Sequence, residues 1–523
     1  MTQDTAHRQD DQTIQFPDTW AERDPDRIAY LMAGSGQQVT YRELVDSARR
    51  TARLLRDLGL AHGDQVALLC ENVVGMLEAA WACQRSGLRY TAISTRLNAT
   101  EAAYIATDSD AKVLLVSTGT AEVGAEVLAK TGITHAFCVD GEAPGFPSLA
   151  DATRDLPSTR LADEAEGVDM LYSSGTTGAP KGVEADLPLA PLGTPPGVAS
   201  LLASRWGFDS GTRYLSPAPL YHAAPLRFTM TVHRFGGTAV IMEKFDATRA
   251  LELIEQHRIT HTQMVPTMFV RMLKLPEEVR SAANVSTLSA VVHAAAPCPP
   301  EVKRAMIDWF GPVIEEYYSS TENNLFTAIT SAEALERPGS VGRALSGTPH
   351  VLDDAGDPLP PGQSGTIWSE GGLDFRYHND PERTREAHND RGWTTVGDIG
   401  YLDEDGYLYL SDRRADLVLS GGVNIYPQEA ENVMVLHPLV EDVAVFGVPD
   451  PELGEVVKAV VQPAAGVTPG PELEAELMAF CAERLSTYKC PRSIDFRSSL
   501  PRHATGKLYK RLLRDEYAAN SPS

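Results

Sequence analysis

Hydrophobic and polar positions in the first third of the chain alternate between a helical and an extended period. VTYRELVDSARRTARLLRDLGL (39–60) sets its apolar residues at helical spacing and runs out near Gly59. DQVALLCEN (64–72) is a short apolar run that predicts a buried strand, VVGMLEAAWACQRSGL (73–88) a helix and YTAIS (90–94) a strand. KVLLVS (112–117) and HAFCVD (135–140) repeat the theme with a helix between them. After residue 235 the alternation resumes: GTAVIMEKFD predicts a strand, ATRALELIEQHRI a helix and THTQMVP a strand. LSAVVHAAAP (288–297) is then a strand, PPEVKRAMIDWF a helix and PVIEEYY a strand. Strands and helices in this order predict an α/β fold with a parallel, covered sheet. From about 340 to 411 the pattern shifts to short strands and turns, a small all-β element. After residue 416 the helix and strand mixture returns over roughly 100 residues, the size of a small domain. The Pro-rich stretch LPLAPLGTPPG (187–197) reads as a loop.

Composition narrows the class. A chain of 523 residues exceeds one ordinary core, so two or more domains are expected. It is 43% hydrophobic and 22% charged, as soluble globular proteins are. No apolar run is long enough for an integral membrane span, and MTQDTAHRQDDQTIQF lacks the apolar core of a secretory signal, so a cytoplasmic protein is expected. Acidic residues number 71 against 46 basic ones, a net charge of −25. That balance argues against nucleic acid or an anionic membrane surface as the main partner, while leaving room for a local basic pocket. The six cysteines, at 70, 83, 138, 298, 481 and 490, have no CxxC or zinc spacing and read as reduced thiols.

Candidate chemistry starts at LYSSGTTGAPKG, Leu171 to Gly182. Glycines at 175, 178 and 182, clustered hydroxyls and Lys181 suit a phosphate cradle, in which turned-in N–H groups, hydroxyls and one cation face an anion. Taken alone, a slack linker remains the alternative. The loop GxxxxGK[ST] does not fit, because Pro180 precedes Lys181 and Gly182 follows it, and no GxGxxG occurs.

Further motifs follow in order: PLYHAAP (219–225), HAAAPCP (293–299), YYSSTE (317–322), TVGDIGYLDEDGYLYLSDR (395–413), SGGVNIYPQEAE (420–431) and LPRHATGKLYKRLLR (500–514). With YSSGTTGAPKG, this set resembles the signature of the adenylate-forming enzymes: acyl-CoA synthetases, firefly luciferases and peptide-synthetase adenylation domains. The likeness runs from about Tyr41 to Arg514 and is greatest to bacterial fatty-acyl and related acid–CoA ligases. It implies a large N-terminal domain (1–411) of α/β subdomains plus a small β-barrel element, a hinge (412–416), and a small mobile α+β C-terminal domain (417–523). It implies ATP, Mg2+ and coenzyme A as cofactors, a monomer or homodimer, and conversion of a carboxylic acid to its acyl-adenylate and then to its thioester. The acid expected first is a medium- or long-chain fatty acid. Aryl acids of the cinnamate or benzoate type, steroid acids, and loading of a carrier protein are alternatives.

The chemistry explains the residue types. When a carboxylate attacks the α-phosphorus of ATP, charge builds on phosphate oxygens, and fixed donors and cations stabilise it. By resemblance, Ser173, Ser174, Gly175, Thr176, Thr177 and Lys181 hold the β and γ phosphates, Thr321 faces the α-phosphate, and Glu322 binds Mg2+. Tyr318 stacks near adenine, while Asp398 and Arg413 reach the ribose. Lys507, in HATGKLYKR, contacts the acyl carboxylate and the α-phosphate; by charge pattern alone it reads as one member of a solvated basic run with Arg502, Lys510, Arg511 and Arg514. His222 gates the acyl carboxylate. Phe228, Met230, Val265, Ala294, Ala295, Ala296, Tyr317 and Ser319 line the acyl pocket, and Gly421 and Gly422 approach the pantetheine arm. The chain departs from the pattern at Ala415, where many relatives carry Asp or Lys, at Ser319, often glycine, and in EADLPLAPLGTPPG after the cradle.

Overall fold

The structure is a computed structural model that describes residues 15–173, 180–413, 417–420, 423–501 and 508–519. The helix Tyr41–Asp57 begins where the sequence TYRE dictates: the Glu43 N–H donates to the Thr40 hydroxyl and the Thr40 N–H to the Glu43 carboxylate. Its buried face, Tyr41, Leu44, Val45, Ala48, Ala52 and Leu55, packs against the helix Val74–Arg85. Beside this pair lies a parallel sheet in the order His135–Cys138, Ala111–Val116, Gln65–Leu69, Arg89–Ala92, Val168–Asp169.

A second sheet carries the site. Its parallel part places Ile314–Ser319, Ala290–His293, His261–Met264, Arg213–Ser216, Thr238–Ile241 and Ile28–Met32 side by side, with Gln38–Thr40 antiparallel at the edge. At the other end the strands expected as an all-β element continue the same sheet: Phe326–Ile329, Ser340–Ser346, Leu408–Arg413, Asp398–Leu402, Gly365–Glu370 and Thr348–Leu352, all antiparallel. A third, three-stranded sheet joins Leu171–Ser173, Lys181–Glu184 and Arg376–Tyr377.

The two large sheets share a core that runs from Trp81 and Tyr90 to Phe228 and Val292. Buried charges inside it are paired: Arg234 donates to both Glu166 oxygens at 3.0 and 2.8 Å, and Arg85 to both Asp18 oxygens at 3.0 and 2.8 Å. The small C-terminal domain has its own core around the long hairpin Val440–Asp450 and Gly454–Pro463, with helices Pro427–Met434 and Pro471–Ala482 against it. Val435 and Leu436 also pack onto the core beneath the helix Pro266–Leu273. The six cysteines are free thiols, five buried and Cys490 half-buried.

Candidate active site

Parallel strands that lie side by side deliver their following loops to one edge of the sheet, where ligands of α/β proteins bind. PLYHAAP follows Arg213–Ser216, Val265 follows His261–Met264, the three alanines follow Ala290–His293, and Thr321 and Glu322 follow Ile314–Ser319. Four segments far apart in sequence thus converge on one crevice.

One side is built by the three-stranded sheet. Ser173 pairs with Lys181 and Tyr172 with Gly182, so the segment expected to cradle phosphate is the connection of a β-hairpin whose base is fixed. A side chain at Gly182 would crowd its neighbours: a Cβ would sit 3.0 Å from the Tyr172 ring and 3.1 Å from the His378 Cβ. The Tyr172 hydroxyl donates to Asp108 Oδ2 at 2.6 Å, anchoring the hairpin to the first sheet's layer. Strand Arg376–Tyr377 pairs with the strand that begins at Lys181. That brings the Tyr377 ring under the Lys181 ammonium, Nζ 4.7 Å from its centroid, while the Tyr377 hydroxyl donates to Glu322 Oε1 at 2.9 Å. Lys181, Tyr377 and Glu322 therefore form one constellation. Burial and the nearby Arg383 hold the half-buried Lys181 ammonium below the usual lysine range, with Glu322, Asp380 and Glu386 opposing. Residues 174–179, which include Ser174, Gly175, Thr176 and Thr177, lie outside the described residues, as does the Ser173 side chain.

On the other side, the Tyr318 hydroxyl donates to Asp398 Oδ2 at 2.7 Å, and Asp398 is 9% exposed. Asp398 pairs across the ladder with Arg413, whose side chain is outside the description. Ser420 pairs with Val423 in an antiparallel hairpin, leaving Gly421 and Gly422 as its connection, also outside the described residues. Lys507 falls outside them too. Its neighbours in the basic run are partly accounted for: Lys510 is buried against Glu431 at 2.9 Å and Arg511 pairs with Asp515 at 3.4 Å.

Of the residues expected around the acyl chain, Phe228 and Tyr317 meet. Residues 226–230 belong to a helix, Ala223–Arg234, and two positions apart on a helix point to different sides. Phe228, 1% exposed, packs on Trp206 (5.5 Å between centroids) and Tyr317 (6.0 Å), whereas Met230 receives the Tyr90 hydroxyl at its sulfur, 3.4 Å away. Val265 packs with the opposite core. Ala294 is buried, while Ala295 and Ala296 are exposed and Ala295 has φ +75°. The Ser319 hydroxyl is committed to its own loop, donating to the Leu325 carbonyl at 2.8 Å. Tyr317 lies flat on Phe326, 4.9 Å between centroids and 2° between planes. His222 is half-buried before the first turn of the helix, its ring edge-on to Tyr221 at 4.5 Å. Tyr377 was missed by sequence reasoning. Its segment, FRYHND, has no spacing that announces a link to Lys181, and only strand pairing across some 195 residues makes one.

A two-domain α/β protein with a lysine-bearing hairpin, a carboxylate beside it and a tyrosine–aspartate pair at one crevice defines the class of adenylate-forming enzymes. Comparison with known proteins gives the family: residues 17–375 match the AMP-binding enzyme model and residues 429–507 its C-terminal domain, so the chain belongs to the AMP-binding enzyme family. It is 33% identical over 503 residues to the long-chain-fatty-acid–CoA ligase FadD13 of Mycobacterium tuberculosis, covering 94% of this chain and 96% of that one. It is also 33% identical over 490 residues to a feruloyl-CoA synthase of an Amycolatopsis species, covering 92% and 94%. ATP-bound MatB of Rhodopseudomonas palustris superposes with a TM-score of 0.80 at 30% identity, covering 96% and 99%; apo MatB gives 0.69. The chain is an ATP-dependent acid–CoA ligase. Among the described residues no helix is long and apolar enough to cross a membrane.

Proposed function

We propose that the crevice activates a carboxylic acid as its adenylate and passes the acyl group to coenzyme A. The observation that carries this reading is the Lys181–Tyr377–Glu322 constellation beside the Tyr318–Asp398 pair. Lys181 neutralises the departing β and γ phosphates together with Ser173, Ser174, Gly175, Thr176 and Thr177. The Glu322 carboxylate, 7% exposed, would hold Mg2+: the Tyr377 hydroxyl uses one of its lone pairs, which leaves acceptor capacity of the kind a hard cation takes. When bound, the ion would neutralise developing phosphate charge. Thr321 orients the α-phosphate, Tyr318 and Asp398 hold the nucleoside with Arg413, and His222 closes over the reacting carboxylate. No general base is needed, because the acid is already ionised at neutral pH. Lys507 enters with the C-terminal domain (417–523), which turns on the hinge (412–416) so that the hairpin at Gly421 and Gly422 meets the thiol arm of coenzyme A.

Two readings of the acid each have support. The 33% identity with a long-chain ligase favours a medium- or long-chain fatty acid. The equal 33% identity with a feruloyl-CoA synthase favours an aryl acid, and the rings of Tyr317, Phe326, Phe228 and Trp206, packed on one another, fill space that a long chain would need. Pyrophosphate release, measured across aliphatic acids of rising length, cinnamates, benzoates and steroid acids, separates them. Turnover that falls with chain length and peaks on an aryl acid supports the second; the reverse supports the first. No release with any acid refutes adenylation. Replacing coenzyme A by a carrier protein in the product assay tests the acceptor.

A further inference from the structure

The helix Pro266–Leu273 touches both halves of the molecule. It follows Val265, the residue after the strand His261–Met264, and Phe269 lies edge-on to the buried His293 ring at 5.2 Å. At its other end Arg271 meets Glu441 of the small domain at 3.2 Å, and the Lys274 ammonium donates to the Val440 carbonyl. Val435 and Leu436 close the same contact from the apolar side. On the small domain's side, Glu441 and Asp442 are the charges nearest Lys274. This arrangement of the whole chain superposes better on ATP-bound than on apo MatB, 0.80 against 0.69.

We propose that Arg271 and Lys274 are positioning residues that clasp the small domain in the arrangement used for adenylate formation and release it for thioester formation. The proposal rests on the ligase reading above. The strength of the clasp suits such a role. Arg271 and Glu441 are 54% and 30% exposed, so the pair is worth only a few-fold in an equilibrium constant. That is enough to bias two arrangements of similar energy and weak enough to break in every turnover. Neither residue needs to touch ATP or the acid.

The test uses the full-length enzyme and an acid that supports pyrophosphate exchange in the wild type. Arg271→Glu faces Glu441 with like charge. Expected is an exchange rate about fivefold lower, with KM for ATP and acid unchanged, and thioester formation from synthetic acyl-adenylate and coenzyme A undiminished. Glu441→Arg, made on the other domain, should give the same split, and the double variant Arg271→Glu/Glu441→Arg should restore exchange. Equal losses in both half-reactions, no loss in exchange, or no rescue overturns the clasp. Wild-type enzyme that performs neither half-reaction with any acid refutes the ligase reading instead.

Discussion

Tyr377, 7% exposed, meets the Lys181 ammonium with its ring and Glu322 with its hydroxyl. A hydrogen bond to a charged carboxylate is worth about 1.5–3 kcal/mol, so Tyr377→Phe should slow pyrophosphate exchange by about tenfold or more while the melting temperature changes little. An unchanged rate would remove Tyr377 from the site. A second residue reports on pH. Burial pushes the Glu78 carboxyl up to about 7, against the bond donated by the Ser47 hydroxyl. A carboxyl with a raised folded-state pKa holds more protons in the folded than in the unfolded chain, so its contribution to stability falls as pH climbs from the ordinary glutamate range to about 7. Glu78→Gln keeps the acceptor for Ser47 and removes the charge. Its melting temperature should match wild type near pH 4 and exceed it most above pH 7; a constant difference across pH would contradict this.

Elements were legible where their signal is local. The helix read over 73–88 is Val74–Arg85, and the strand read over 112–117 is Ala111–Val116. TYRE announces a helix start, and Thr40→Ala should cost about 1 kcal/mol, read as a lower denaturation midpoint. Pairing between distant segments left no such trace. Nothing in the period of IAYLM says that Ile28–Met32 belongs beside Thr238–Ile241 rather than in the nearer sheet. The acyl-pocket expectation treated 226–230 as a lining stretch, and the helix there turns Phe228 and Met230 apart while Phe228 meets Tyr317. Motif segments fared better because loops after neighbouring parallel strands must share an edge. Glu322 sits on that edge, and the pairing of Arg376–Tyr377 with the strand from Lys181 joins the two through Tyr377, which their separation in sequence says nothing of.

At the scale of the whole molecule, the expected reaction needs a residue of the tail to reach a crevice built by the large domain. Lys507→Ala should leave the fold intact and cut pyrophosphate exchange at least about 100-fold, roughly 3 kcal/mol of transition-state stabilisation. Exchange near the wild-type rate would refute its role. The strand Ile28–Met32 has a consequence for how the chain is made. The Ile28 carbonyl accepts a bond from the Thr238 hydroxyl at 2.7 Å, across 210 residues. At a synthesis rate of about 5–20 residues per second, that early strand leaves the ribosome about 10 to 40 s before its parallel partner, Thr238–Ile241, exists. Through that interval only Gln38–Thr40 is at hand to pair with it and its other edge stays open, so yield should suffer most when translation slows between these two segments.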